Sequence, residues 1–433
     1  MRVWKHVLEF VWYTLRNREA IDMHARVVLL ASMVGITGLL AGCGATPTEP
    51  PAAASVVHGH GTQAAGSALQ RIAAKATATP TTFANAVHAI DAQIHMFDDR
   101  AGVAWGYQGS HFVLYATEDG AHTWVRQSLP PLPTDDVVAN GPGGVDYVYP
   151  IVSSKRMWSL VWIDTGEAHI LTTRDGGSTW SPSTFSLPAG VSQIAFGEWQ
   201  GAKAGWLLFE DDASGGAAAK YLFATTDGGQ AWHMVNNSQD ELVHNGYAAR
   251  LDFAPNGKTG LYAGVDDLTK TVNVVETIDG GLHWHTSALT LPSQAVAPPV
   301  VEFVKANSNQ SLMVAFMVPT ANGNQLYVCT STYGKNWTID ELNVGQVQAM
   351  SAIAPDGLVL LELRNGEETI LRSLDDGQSW YTVGHSLQGS LASAIHITLD
   401  IADPATWYIL ALDSKLNATL LRSQDGGMHW QVM

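Results

Sequence analysis

One eight-residue phrase occurs seven times in this chain and constrains its fold more than any other feature. Its clearest copy runs from Thr277 to Trp284, with a hydroxyl residue first, an Asp third, then two glycines and a Trp at the eighth position. The copies begin at residues 117, 173, 225, 277, 330, 373 and 423, so successive starts lie 43 to 56 residues apart. A near-constant period of this size is typical of solenoids, propellers and arrays of small units.

The residue types in the phrase predict a tight loop between two strands. Asp hydrogen-bonds to the backbone two residues on, and Gly adopts a positive φ without steric cost. The hydroxyl can satisfy a further loop amide, and the Trp opens the next strand as a large buried anchor. We assign a structural role to three residues in each of six copies: Thr117, Asp119 and Trp124; Thr173, Asp175 and Trp180; Thr225, Asp227 and Trp232; Thr277, Asp279 and Trp284; Ser373, Asp375 and Trp380; Ser423, Asp425 and Trp430.

Two copies depart from this pattern at the Asp or at the first Gly. In the fifth copy Thr332 replaces the Asp and Tyr333 replaces the first Gly, so the loop loses its Asp turn. In the sixth copy Asp376 stands where Gly is usual. Repeat arrays tolerate imperfect units because neighbouring interfaces hold them in place. Neither departure changes the predicted number of units.

Short runs of alternating apolar residues precede each copy, which is the sequence pattern of β-strands. The clearest runs are 90–96, 102–107 and 111–116 before the first copy, 193–196, 205–209 and 221–224 before the third, and 250–254, 260–265 and 272–276 before the fourth. With the strand that opens at each Trp, they give four antiparallel strands per period, as in a propeller blade. The sequence therefore predicts an all-β fold, a seven-bladed β-propeller with four-stranded antiparallel blades, over residues 84–433.

The phrase resembles the Asp-box, also called the bacterial neuraminidase repeat, of sialidase-like and sortilin-like β-propellers. In that superfamily the box is a structural loop between the third and fourth strands of a blade and has no catalytic role, which the resemblance implies here too. Sortilin-type propellers have ten blades and flanking disulfides. This chain has two cysteines, and neither feature is expected in it.

A closer resemblance is to the photosystem II assembly and stability factor family of exported propellers. It is carried by the Gly-Trp second strands ahead of the boxes, at residues 102–107 and 204–209. The resemblance implies protein binding or assembly without catalysis. That family uses a basic surface patch, and the sequence contains no cluster that matches it.

The first 42 residues predict a secretory signal. A basic residue, Arg26, precedes an apolar run from Val27 to Leu40, which is shorter than the roughly 20 residues that span a membrane. Residues 40–43, Leu-Ala-Gly-Cys, look like the lipobox of bacterial lipoproteins, which implies acylation of Cys43. The alternative is an uncleaved N-terminal anchor, and Met23 is an alternative start. We expect a lipid-anchored protein of the bacterial cell envelope with its propeller on the extracytoplasmic side.

Composition predicts a tether and excludes one class of partner. Residues 43–83 are rich in Ala, Thr, Pro, Gly and Ser, which predicts a disordered tether after the lipidated Cys. The formal net charge of the whole chain is −17. A strongly acidic exported protein repels nucleic acid and anionic lipid headgroups, so membrane attachment is assigned to the lipid. We expect a monomer with no cofactor and no metal site, in which Cys329 is a buried apolar residue.

Two functions remain open at this point. Sialidases of the resembled fold bind the substrate carboxylate with three arginines, one of them in a Phe/Tyr-Arg-Ile-Pro motif, and no Arg-Ile-Pro occurs here. Other glycoside hydrolysis needs only two carboxylates across a cleft, so a carbohydrate-active enzyme is the alternative function. The preferred function is a scaffold for an unknown protein or glycan partner, with no catalytic residue. A carboxylate pair across the central cleft favours the enzyme, and a shallow charged face favours the scaffold.

The candidate binding face lies opposite the repeated phrase, where loops join the second and third strands and where blades are connected. Loops on a rigid scaffold usually carry function. Eight acidic residues are the candidates, the first four at the centre: Asp211, Asp212, Asp266, Asp267, Asp164, Glu167, Glu367 and Glu368. We predict that they converge on a basic protein segment or a divalent cation, and the alternative is a solvated rim on an acidic protein.

Overall fold

A computed structural model of the chain describes most of the region after residue 90. The described residues are 72–73, 80–83, 90–108, 111–132, 148–211, 218–239, 241–242, 247–266, 269, 271–289, 295–321, 323–333, 335–353, 357–364, 367–385, 387, 391 and 393–433. They form seven antiparallel sheets, and in each sheet four consecutive strands pair in sequence order. The predicted all-β, seven-bladed propeller is therefore confirmed. None of the helical structure in this part of the chain is long and apolar enough to cross a membrane.

Each blade uses one contiguous stretch of sequence. Blade 1 contains β2 (Ile90–Met96), β3 (Gly102–Gln108), β4 (His111–Thr117) and β5 (Val125–Arg126); blade 2 contains β6 (Tyr149–Val152), β7 (Trp158–Asp164), β8 (Glu167–Thr173) and β9 (Thr179–Ser186). Blade 3 contains β10 (Val191–Gln200), β11 (Ala204–Asp211), β12 (Lys220–Thr225) and β13 (His233–Asn237); blade 4 contains β14 (Tyr247–Phe253), β15 (Gly260–Asp266), β16 (Thr271–Thr277) and β17 (His285–Leu289).

The last three blades follow the same order. Blade 5 contains β18 (Val300–Ala306), β19 (Ser311–Thr320), β20 (Gly323–Thr332) and β21 (Thr338–Val344); blade 6 contains β22 (Gln346–Ile353), β23 (Gly357–Arg364), β24 (Glu367–Ser373) and β25 (Tyr381–His385); blade 7 contains β26 (Ala394–Ile401), β27 (Trp407–Asp413), β28 (Ala418–Ser423) and β29 (Gln431–Val432). Most observed strands extend one or two residues beyond the predicted apolar runs, because backbone pairing continues past the last apolar side chain.

The chain before residue 84 also contacts the propeller. β1 (Ile72–Ala73) pairs antiparallel with β9 and gives blade 2 a fifth strand at its outer edge. Thr81 forms a two-way backbone bridge with Trp124, and the buried Phe83 packs edge-on against that indole at 5.3 Å between ring centroids. The contacts of the fold therefore begin upstream of the predicted boundary at residue 84.

The core consists of apolar layers between neighbouring blades. The second strands are the most buried; all seven residues of β15, for example, are buried. Aromatic side chains join the layers, as where Trp206 of blade 3 stacks on Phe253 of blade 4 with ring centroids 4.0 Å apart. Such burial of large rings stabilises each blade against the next. Cys329 is fully buried in the layer between blades 4 and 5, and burial raises the pKa of its thiol to about 12.

Candidate functional site

The first strand of each blade lines the central channel of the propeller. Strands β6, β10, β14, β18, β22 and β26 contact one another in that order, and β26 contacts β2. These strands begin at the blade connections and end at the loops that join first and second strands. Because neighbouring strands are antiparallel, the ends of the first strands lie on the same face as the seven repeat loops, the loops formed by the eight-residue phrase.

A bulge near the start of the first strand places polar side chains in the channel. The pairing of first and second strands shifts register in six blades. The residue after such a shift is polar in four of them: Gln93, Gln193, Arg250 and His396. The amide of Gln93 donates to the ring of His396 at 3.0 Å, across the seam between blades 1 and 7. Bulges re-aim side chains and often lie beside functional sites, so this layer is a candidate ligand-contacting part of the channel.

Carboxylates near the ends of three first strands bind the backbone of the next blade. The Phe253 amide donates to Glu198 at 2.8 Å, and the Ala306 amide donates to Asp252 at 2.6 Å. Asp400 accepts in the same way from Met96 at 2.6 Å, which joins blade 7 to blade 1. We call these three contacts the blade clips. The sequence analysis did not identify them, because alternation along a strand does not show which neighbouring blade a side chain contacts.

Two of the blade-clip carboxyls, those of Glu198 and Asp252, have raised pKa values. Burial and the neighbouring charge of Asp252 raise the pKa of Glu198, and burial also raises the pKa of Asp252 against the effects of the Ala306 amide and Lys305. Two close carboxyls in a desolvated site cannot both ionise readily, so the pair retains a proton at higher pH than free carboxyls do. Glu198 and Asp252 lie on adjacent strands, each occupied by a backbone amide, and not across the channel from each other.

A positive charge completes this end of the channel. Lys305, next to the Asp252 clip, lies 3.9 Å from a carboxylate oxygen of Asp376 in the sixth repeat loop. Asp376 adopts a positive φ of 55°, the conformation that Gly provides in the other five regular loops. The unusual Asp of the sixth copy therefore accepts a strained backbone and places a charge beside Lys305. At the seam between blades 1 and 7, burial lowers and the Asp400 carboxylate raises the pKa of His95, with a net rise.

The repeat loops have one hydrogen-bond pattern. In the fourth loop the Thr277 hydroxyl donates to Asp279 at 2.9 Å and accepts from the Gly281 amide at 3.1 Å. The Asp279 carboxylate also accepts from the amides of Leu282 and His283, both at 3.0 Å. The same hydroxyl-to-Asp bond forms in the other five regular copies. The carboxylates are thus occupied inside their own loops.

The repeat loops also hydrogen-bond to the loop between the first and second strands of their own blade. The residue at the fourth position donates its amide to a carbonyl between first and second strands; Gly280 donates to Lys258, for example, at 2.9 Å. The fifth loop keeps this contact through Tyr333 and Gln310, although it lacks the Asp. Its Trp337 donates instead to Glu276 of blade 4 at 3.2 Å. This contact with the neighbouring blade therefore takes the place of the Asp turn that the fifth loop lacks.

The described candidates for the acidic face lie at the hairpins between second and third strands. Asp164 and Glu167 flank the hairpin of blade 2, and Glu367 begins the third strand of blade 6. Asp211 and Asp266 end the second strands of blades 3 and 4. These hairpins lie on the face opposite the repeat loops. Asp212 and Asp267, and also Cys43, lie outside the described residues.

Several of these carboxylates are less available than the sequence indicates. Asp266 is only 6% exposed and accepts from the Thr269 amide at 3.1 Å, and Glu368 is only 7% exposed. Asp211 accepts from the Ala219 amide at 2.6 Å. Asp211 and Asp266 therefore stabilise their own hairpins. Glu367 is exposed, and Glu167 is half-exposed beside the His169 ring, 3.9 Å away. The alternation of side chains along β24 could have predicted the burial of Glu368, because it lies two residues before the buried Ile370 and therefore on the same side of the strand.

A buried ion pair lies next to the acidic hairpin of blade 3. Lys220 is fully buried, and its ammonium lies 3.8 Å from Glu210 and donates to the Ala218 carbonyl at 2.8 Å. Burial lowers the pKa of Lys220 to about 8, against the effect of the Glu210 charge. The amide of Gln193 donates to the same carboxylate at 2.9 Å. Glu210 therefore connects the hairpin of blade 3, through Lys220, to the polar layer of the channel, through Gln193.

The strand order and the channel define the class of protein as a seven-bladed β-propeller. No family model matches the chain, and no curated protein matches it. Similar solved structures include a Lactobacillus plantarum protein (13% identity, TM-score 0.46, covering 68% of this chain and 83% of that chain). They also include a Bacteroides uniformis protein provisionally assigned as a 6-phosphogluconolactonase (12%, 0.47, 78% and 96%) and a GH74 xyloglucanase from Xanthomonas campestris (12%, 0.32, 80% and 72%). Similarities at this level carry no inference about activity.

Proposed function

We propose that this protein is a membrane-anchored binding scaffold whose acidic face captures a basic segment of a partner protein. The observation that carries the proposal is the separation of two sets of carboxylates. Those near the repeat-loop end of the channel are occupied by backbone amides of the next blade, whereas hairpins in blades 2 and 6 carry carboxylates that solvent can reach. A rigid ring with charged loops on one face is suited to binding.

A groove on blade 1 lacks the side chains expected of a hydrolytic site. A shallow groove along blade 1 is lined by residues 112–114 and 126–129, and none of these is a carboxylate or a histidine. Enzyme sites are generally concave, with convergent polar groups. The resemblance of the Gly-Trp second strands to assembly-factor propellers agrees with a binding role, and the Asp-box resemblance agrees with a structural role for the repeat loops.

Anchoring is proposed from the lipobox-like residues 40–43. If Cys43 carries acyl chains, Cys43→Ala should release the protein from membranes, because each buried CH₂ contributes roughly 0.8 kcal/mol to membrane binding. The measurement is the distribution of the protein between membrane and soluble fractions, together with the mass of the N-terminal peptide. Unchanged partition and an unmodified Cys43 would refute the anchor.

The binding face is tested by neutralising the three described carboxylates that are exposed or half-exposed and have no hairpin-capping role. The triple variant Asp164→Asn, Glu167→Gln, Glu367→Gln avoids the hairpin-capping Asp211 and Asp266. It should bind a decalysine peptide about tenfold more weakly than wild type at low salt, with a weaker salt dependence. Calorimetric titration measures both.

A control variant removes the same number of charges elsewhere. Asp99→Asn, Glu118→Gln and Glu341→Gln are exposed and lie away from the acidic hairpins. This variant should keep most of the affinity. Equal losses in the two triple variants would show that only net charge matters, and the acidic face would then be a solubility feature.

A second candidate function is a carbohydrate-active enzyme, favoured by the Glu198–Asp252 pair. A carboxyl with a raised pKa beside a second carboxyl is the arrangement of a general acid with its partner. Glu198→Gln distinguishes the two functions, because it removes the acid while the amide oxygen still accepts from Phe253. Turnover of aryl glycosides by wild type but not by this variant would establish the enzyme. Unchanged peptide capture without any turnover supports the scaffold.

A further inference from the structure

The fourth strand of blade 5 is an open edge of its sheet. β21 pairs with β20 through seven consecutive residues, from Thr338 to Val344, without a register shift. β21 ends the strand order of its sheet, and none of the described residues pairs with its other side. Such an edge presents a row of backbone N–H and C=O groups that can pair with another chain.

Most of the other fourth strands carry a feature that protects a sheet edge. β5 and β29 contain two residues each, and a register shift interrupts the pairing of β13 and of β25. β9 contains Pro182 and is covered by β1. β17 is regular, but it has five residues and no carboxylate. Short strands, bulges, Pro and covering segments all reduce edge pairing, and β21 is the longest fourth strand without any of them.

Blades 1 and 2 show how an extended segment pairs with such an edge. β1 runs antiparallel to β9, with Ile72 opposite Trp180, the Trp of the second repeat loop. Thr81 pairs in the same antiparallel way with Trp124, the Trp of the first repeat loop. The outer edge at the Trp of a repeat loop therefore accepts an added antiparallel segment in this fold, and β21 follows directly after the Trp of the fifth repeat loop.

The side chains of β21 define what an added segment should carry. Ile339 is 46% exposed, Glu341 is exposed, and Asp340 and Leu342 are half-buried. The Glu341 carboxylate also lies beside the hydroxyl of Tyr327, its cross-strand partner on β20. Residues directly opposite each other in an antiparallel pair interact, so apolar residues suit the positions facing Ile339 and Leu342, and basic residues suit those facing the two carboxylates. The complementary order is apolar, basic, basic, apolar.

Two basic residues of the chain flank this stretch without neutralising it. Arg364 donates to the Asn343 carbonyl at 2.6 Å and pairs with the Glu362 carboxylate at 2.9 Å, so its charge is engaged. Lys335 is exposed before the start of the strand. Because Arg364 already occupies the carbonyl of Asn343, the edge is open from Thr338 to Leu342.

We propose that β21 is a docking strand for an extended segment of a partner protein, which adds antiparallel to blade 5 and carries two adjacent basic residues between apolar ones. Strand addition of this kind gains affinity from backbone hydrogen bonds and specificity from alternate side chains. A second copy is a poorer occupant, because two β21 strands paired about their centres would place Glu341 opposite Glu341. The inference goes beyond the proposed function and does not depend on the acidic face.

The first test uses the full chain and labelled peptides. The peptide Thr-Thr-Val-Lys-Lys-Val-Thr should bind in fluorescence anisotropy and slow the hydrogen exchange of residues 338–342. Two further versions are methylated at alternate backbone amides, one in each register. One of the two should bind at least about fivefold more weakly than the other, because only alternate amides of an added strand face β21. Equal binding of both versions, or unchanged exchange over 338–342, would overturn the inference.

The second test exchanges a charge. Asp340→Lys should weaken binding of the Lys-Lys peptide about fivefold and strengthen binding of Thr-Thr-Val-Lys-Glu-Val-Thr, whose Glu would face position 340. A gain for the second peptide cannot arise from misfolding. The matched control is Asp99→Lys, at an exposed position in blade 1, which should change the binding of both peptides alike.

Two outcomes of these experiments assign the edge differently. Identical responses of Asp340→Lys and Asp99→Lys would show that only net charge matters, and would overturn the inference. Protection of residues 338–342 that increases with protein concentration in the absence of peptide would assign the edge to a second copy, and would overturn it too. Decalysine has no apolar residue and a low strand propensity, so its capture by the acidic face tests the proposed function separately.

Discussion

Replacing Asp279 by Ala removes the carboxylate around which the fourth repeat loop is organised. Four hydrogen bonds are lost. The His283 ring donates one of them at 2.7 Å, but this ring is 77% exposed and its contact contributes little. The other three come from the Thr277 hydroxyl and from the amides of Leu282 and His283. Each contributes about 0.5–1.5 kcal/mol, and the lower half of that range applies because Asp279 is 36% exposed. The expected decrease in the free energy of unfolding is therefore about 2 kcal/mol. For a propeller of about 350 residues this corresponds to a fall in Tm of about 3 °C.

Thermal and urea unfolding followed by tryptophan fluorescence measure this change. Ile278→Ala is the control, since it alters an exposed side chain in the same loop and should change stability by less than about 0.5 kcal/mol. Thr332→Asp, which restores the missing Asp of the fifth loop, should be neutral or mildly stabilising. An Asp279→Ala variant as stable as wild type would refute the structural role. A variant that is stable but no longer binds the partner would make the loop functional.

Three further outcomes are expected. Burial and Asp252 raise the pKa of Glu198, so the folded state keeps a proton that the unfolded state releases. Stability should fall as pH rises from 4.5 to about 8, and Glu198→Gln should flatten this dependence in urea titrations. Burial tends to raise the pKa of Asp425, but hydrogen bonds from His429 outweigh this effect and lower the pKa to about 2. This contribution is present above pH 4 and is lost toward pH 2, so Asp425→Asn should weaken the dependence of unfolding on acid. Finally, Cys329 should resist thiol reagents until the protein is denatured, and rapid native labelling would contradict its burial.

The blade architecture could be predicted because its determinants are local. The hydroxyl, Asp and Trp of each copy lie within eight residues, and their hydrogen bonds form within the same loop, as in Thr173 with Asp175. Strand alternation then supplied the rest of the blade. The substitution of Thr332 for Asp leaves blade 5 intact, as predicted, because neighbouring contacts hold that loop.

The channel and the state of each carboxylate could not be predicted in the same way. Glu198 and Asp252 act on amides more than fifty residues away, and no pattern within one strand reveals such a partner. The layer containing Arg250 depends on a bulge, which alternation does not encode. Acidic residues at turns looked equivalent in sequence, but Asp266 is buried while Glu367 is exposed, because burial depends on how each hairpin packs on its neighbour.

The seam between blades 7 and 1 has a consequence for how the ring assembles. Each described blade takes its four main strands from one continuous stretch, so no strand exchange joins the two sides of the seam. The contacts there, Met96 with Asp400 and Asp99 with Arg422, connect residues about three hundred positions apart. Contacts of such long sequence separation have a high loop-closure cost. We therefore expect the propeller to assemble as an open arc of finished blades, and we expect this seam to open first when a folded ring is pulled apart.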